Sequence, residues 1–67
     1  MIVASNFMVT YLKAIANLDH FAEKINVSRP TLYKVMEGEP VSNAVMSALI
    51  KESGFDMDKA FQVKDDN

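Results

Sequence analysis

The residues with most to offer chemically lie between positions 24 and 34. This stretch holds Lys24, Arg29 and Lys34 and no acid, while the whole chain carries a formal charge of −2. Acids gather elsewhere, at Glu37, Glu39, Glu52, Asp56, Asp58, Asp65 and Asp66. The distribution predicts a basic patch on an otherwise acidic molecule, able to attract phosphates with modest strength. Arg29 offers a planar fork of donors suited to paired acceptors, and Lys34 a mobile point charge. Other reactive types are isolated. His20 is the only histidine, and nothing beside it supplies a nucleophile or a second metal ligand. Asp56 and Asp58 are close in sequence, but Asp56 stands where a helix cap is expected. No catalytic constellation emerges, so neither an enzyme, a cofactor nor a metal site is expected.

These residues must be positioned by very little protein. A chain of 67 residues has room for one domain and buries only about 60% of its unfolded surface. We place that domain at residues 1–63, followed by a polar tail at 64–67. With no cysteine and 49% hydrophobic residues, stability must come from apolar packing rather than disulfides or a thiolate-bound metal. The lack of cysteine fits a reducing, cytoplasmic setting. Met1–Ala4 is apolar but follows no basic region, and Thr10 and Lys13 interrupt the apolar run from Phe7 to Ile15. Neither a signal peptide nor a membrane span is expected.

Periodicity and caps predict a compact all-α chain of four to five helices. The first runs from about Asn6 to Ile15 behind Ser5 or Asn6, with a broad apolar face from Phe7/Tyr11/Ile15 and Met8/Leu12. Asn17 caps a second helix, Leu18 to Ile25, whose inward stripe is Phe21, Ala22 and Ile25; Asn26 ends it in a left-handed turn. Ser28 caps a third, with Pro30 in the first turn, where its missing N–H costs nothing. Leu32, Val35 and Met36 face inward, and Gly38 closes that helix. Ser42 caps a fourth, Asn43 to about Ser53, built on Val45, Met46, Leu49 and Ile50 and ended by Gly54. A short fifth, about Met57 to Phe61 behind Asp56, is expected to dock Met57, Ala60 and Phe61. No alternating run is long enough to argue a sheet, although residues 1–5 or 61–64 could be extended.

The stretch Asn17–Gly38 closely resembles the helix-turn-helix of the phage repressor and Cro family, the lambda-repressor-like or XRE-type fold. The matching features are a small residue at Ala22, Ile25, the turn former Asn26, Val27-Ser28, Thr31, Leu32, Val35 and the closing Gly38. The five-helix layout extends the resemblance to about Phe61. It departs at Leu18, where the family usually has a phosphate-clamping Gln, and at Glu37, where an Asn is common. The resemblance implies a DNA-binding domain whose third helix, about 29–37, enters the major groove by its N-terminal half. Arg29 would then make a bidentate contact to guanine. Lys34 would reach a base or phosphate, Pro30 a thymine methyl, and Tyr33 a sugar or phosphate. Asn17 and Ser28 would donate to phosphates, with Lys24 nearby.

The function this implies is a small transcriptional regulator that occupies a double-stranded operator, as a homodimer because a single headpiece makes few contacts. The dimer surface would come from helix one, the N-terminal arm or helix five. Leu18, Glu37 and the negative total charge point instead to a protein-interaction module, such as a modulator binding a repressor protein partner. An antitoxin-type regulator is a third reading.

Overall fold

Four helices begin where a side chain accepts from an orphan backbone amide. In the computed structural model, which describes residues 1–64, α1 (Asn6–Lys13) opens on Ser5, whose hydroxyl accepts from the Met8 amide at 3.3 Å. Asn17 caps α2 (Leu18–Ile25) by accepting from the His20 amide at 3.0 Å. Ser28 caps α3 (Arg29–Met36) through the Thr31 amide, and Ser42 caps α4 (Asn43–Ser53) through the Val45 amide. In each case the donor is the third helical residue, as side-chain capping requires. The single-turn α5 (Met57–Ala60) differs: Asp56 has the extended cap conformation, but its side chain makes no capping bond.

The helix ends are equally local. Asn26 sits at φ +59°, the Val27 amide returns to the Ala22 carbonyl at 3.0 Å, and the Asn26 amide to Glu23 at 3.2 Å. This pair of bonds satisfies two carbonyls that the helix would otherwise leave open. Gly38, at φ +87°, repeats it for α3, with Glu39 donating to Lys34 and Gly38 to Val35. α1 stops at Lys13 rather than at Ile15. The Ala14 amide is shared between Thr10 at 3.1 Å and Tyr11 at 3.3 Å, and Ile15 donates to Leu12 at 3.2 Å, so the last turn tightens and ends.

One apolar cluster draws on every element. Met8 and Leu12 of α1, Leu32 of α3 and Leu49 of α4 are almost wholly buried. Phe21 and Ala22 of α2, Val35, Met46, Ala60, the loop residue Val41, and Ala4 and Phe61 near the two ends complete it. Tyr11 is wedged edge-on between Phe21 and Phe55, with ring centroids 6.1 and 5.4 Å away. Ser5 is the only buried polar residue among those described. Its hydroxyl accepts from Met8 and donates to the Lys59 carbonyl, so burying it leaves nothing unpaired.

The expectation of an all-α chain is corrected at its two ends. β1 (Ile2–Ala4) and β2 (Phe61–Val63) form a two-stranded antiparallel sheet, with Ile2 opposite Val63, Val3 opposite Gln62 and Ala4 opposite Phe61. Ser5 and Lys64 extend the ladder by donating to Ala60 and Met1, and Val41 donates to Ile2 at 2.9 Å. The sequence hides this because consecutive Val3 and Ala4 are both buried, which erases the alternation that marks a half-buried strand. Lys64, placed in the tail above, belongs to this ladder, while residues 65–67 lie outside the described residues. Two side chains expected on α5 also move. Phe61 is buried from β2, and Met57 is 46% exposed rather than docked, because one helical turn can direct only Ala60 inward. No helix among the described residues is long and apolar enough to cross a membrane.

The left-handed turn at Asn26 can be tested by urea unfolding. Asn26→Gly should leave stability nearly unchanged, whereas Asn26→Val should cost about 1–2 kcal/mol. Leu32→Ala, which empties a fully buried site, should cost about 2–5 kcal/mol.

Candidate nucleic-acid interface

The helical period divides α3 into two edges. Leu32 and Val35 are buried, with Thr31 and Met36 half-buried beside them. Arg29, Pro30, Tyr33, Lys34 and Glu37 are all exposed, and their i, i+1, i+4, i+5, i+8 spacing puts them on one face. Pro30 is the second residue of α3, so it stiffens the first turn without removing a helical bond. The Ser28 and Thr31 hydroxyls meet at 2.7 Å, which holds the cap against that turn.

The turn between the helices lets side chains from their first turns meet. Asp19, second in α2, reaches Arg29, first in α3, with Oδ1 2.7 Å from Nη1. A side chain from the first turn of α2 thus meets one from the first turn of α3, and Asn17 and Ser28 cap those two turns. Both caps are exposed. Each carries the partial positive charge of a helix start, which favours a nearby anion. The recess between α2 and the start of α3 is lined by Asp19, Ala22, Glu23, Asn26, Val27, Ser28 and Arg29. Its two carboxylates make it unsuitable for a phosphate, so a polyanion would have to be met by the outer stripe.

The cations singled out by the sequence are not equivalent in space. Arg29 is half-exposed and paired with Asp19. Lys34 takes part in no ion pair among the described residues. Lys24, in the last turn of α2, is drawn to α4, its ammonium 2.6 Å from the Glu52 carboxylate. That hydrogen bond and charge hold the Lys24 ammonium above its ordinary lysine value. Lys24 thus stays charged but engaged at the far end of α2. Ser28, Arg29 and Pro30 open α3, Tyr33 and Lys34 continue its exposed face, Asn17 caps α2 two residues before the Asp19 that reaches Arg29, and Lys24 is held aside by Glu52.

Asp19 was missed as a member of this site. Sequence alone marks it as a first-turn acid matching the helix field, and no periodicity links it to a residue ten positions on. Glu37 lies on the same exposed face as Arg29 and Lys34, so the stripe has both signs. No group of three or more metal-ligating side chains occurs among the described residues. Comparisons with family models, curated proteins and solved structures return no match.

Because both partners of the Arg29–Asp19 pair are more than half exposed, it should be weak enough for Arg29 to change partners. A double-mutant cycle on Arg29→Ala and Asp19→Ala should give a coupling of roughly 0.2–1 kcal/mol that shrinks in high salt. A coupling several times larger, insensitive to salt, would mean that Arg29 is locked in place.

Proposed function

We propose that the chain is a small sequence-specific regulator that binds double-stranded operator DNA, acting as a repressor of the Cro kind in the cytoplasm. The observation that carries this reading is the outer edge of α3. Arg29, Pro30, Tyr33 and Lys34 stand exposed on one face of a helix whose first side chain meets Asp19 of α2. In the major groove, Arg29 supplies a bidentate contact to guanine O6 and N7, and Pro30 packs on a thymine methyl. Tyr33 lies against the sugar–phosphate backbone. Lys34 meets a phosphate or base, and the caps at Asn17 and Ser28 approach phosphates.

The charge balance gives this interface a particular character. Arg29 and Lys34 are offset by Asp19 and Glu37 on or beside the same face. Non-specific attraction to the phosphate chain is therefore small, and discrimination rests on base contacts. Asp19 also steadies the Arg29 guanidinium before it meets DNA. One α3 reads few bases, so two copies on a two-fold operator complete the site.

The same acids favour a second reading, a protein-interaction module on this fold that binds a repressor protein. An acid beside each cation repels phosphate but tolerates a mixed-charge protein surface.

Selection from a random duplex library should enrich a palindromic or half-site motif. With two cations per copy, the slope of log affinity against log salt should be roughly −4 or shallower for a dimer. Arg29→Ala should cost about 1–3 kcal/mol and relax preference at one base pair. Lys34→Ala should weaken all sequences alike if its contact is a phosphate. Failure to enrich any sequence, together with specific capture of a repressor, would replace this reading by the second.

A further inference from the structure

The ion pair at the start of α3 uses only part of each partner. Asp19 Oδ1 accepts from Arg29 Nη1 at 2.7 Å, and neither side chain makes another hydrogen bond among the described residues. A guanidinium carries its donors on a rigid fork, so the edge formed by Nε and Nη2 stays whole. The second carboxylate oxygen, Oδ2, is equally unused, on a side chain that is 67% exposed. The pair therefore presents a two-donor edge and a bare acceptor side by side. We infer that Asp19 is a second base-reading residue, its free oxygen accepting from the exocyclic amino group of a base pair next to the guanine that Arg29 contacts. The inference rests on the reading of α3 as the major-groove helix.

Chemistry, charge and distance all select an amino group as what this oxygen meets. An ionised carboxylate only accepts hydrogen bonds. Each base pair shows one amino group in the major groove, cytosine N4 or adenine N6, and inverting the pair moves that group to the other strand. Guanine O6 and N7, thymine O4 and phosphate are acceptors, so Asp19 repels them. The recess behind the pair carries a second carboxylate, Glu23, one helical turn from Asp19, which also rejects phosphate and leaves a neutral donor as the fitting contact. Arg29 balances the Asp19 charge, so the pair as a unit can approach a polyanion. The 2.7 Å between Nη1 and Oδ1 is comparable to the rise of one base step, roughly 3.4 Å. With Arg29 on a guanine, the carboxylate then stands over a flanking pair. Asp19 thus acts largely by exclusion, weakening sites that offer it a carbonyl.

The test is binding of the full chain to duplexes carrying each base pair in turn at the positions flanking that guanine. At one flank, cytosine or adenine on the strand facing Asp19 should be preferred over guanine or thymine by roughly threefold to tenfold. Asp19→Ala should abolish this difference, chiefly by tightening binding to the guanine and thymine duplexes, while Arg29 still selects its own guanine. A folding defect would instead weaken every duplex alike. Asp19→Asn serves if Asp19→Ala does not fold; it keeps an acceptor, adds a donor and should narrow the preference to adenine. Glu23→Gln removes the other carboxylate of the recess and should raise affinity for all four pairs by a similar factor. A flank preference unchanged in Asp19→Ala would overturn the inference. So would loss of the guanine preference alone, because Asp19 would then only position Arg29. In both cases the major-groove reading survives, whereas a chain that selects no base at any position overturns that reading and this inference together.

Discussion

Burial of the inner edge of α3 constrains everything its outer edge can do. Leu32 and Val35 are locked into a cluster shared by every helix and both strands. A helix has no freedom to rotate once two such side chains are buried three residues apart. Arg29, Pro30, Tyr33 and Lys34 are displayed as the geometric complement of that burial. The cost of moving them is the cost of opening the core, so the candidate interface is as rigid as the fold itself.

The core can hold α3 this firmly because the chain closes on itself. Four near-completely buried side chains, Met8, Leu12, Leu32 and Leu49, are a small interior for a chain that must order about sixty residues. Pairing β1 with β2 adds Ala4 and Phe61 to that interior and gives the backbone at both ends a hydrogen-bonding partner. Ser5 ties these parts together: its backbone amide continues the sheet, and its side chain caps α1 and reaches α5. The loop after α3 joins through Val41, whose amide donates to Ile2, so the exit of the exposed helix is anchored to β1.

Charge is handled case by case. Arg29 meets Asp19, Lys24 meets Glu52, and Lys59 lies over two phenyl rings. The first is an exposed contact and the second a partly exposed one, and neighbouring salt or a stronger anion can displace the first more readily. The local arrangement of charge therefore matters more to the candidate site than the total. One exposed guanidinium stands in the first turn of α3, on an acidic molecule.

Much of this was legible in the residues themselves, wherever the physics is local. Ser5, Asn17, Ser28 and Ser42 each capture an amide three positions on, and Asn26, Gly38 and Gly54 adopt left-handed turns. Both kinds of signal act within one turn of backbone, so four helices and the α2–α3 turn follow from sequence alone. So does the exposed face of α3, because its apolar positions keep a single period. Where apolar residues surround a helix, as in α1, only packing decides that Met8 and Leu12 go inside while Phe7 stays out. The β1–β2 pairing joins residues some sixty positions apart through main-chain bonds that carry no side-chain signature. The Asp19–Arg29 contact likewise depends on how two helices cross. The sequence by itself determined where the helices start and stop and which face of α3 is polar. The tertiary structure decided how the ends close the core, which cations are left available and which apolar surface remains uncovered, since each depends on contacts between segments distant in the chain.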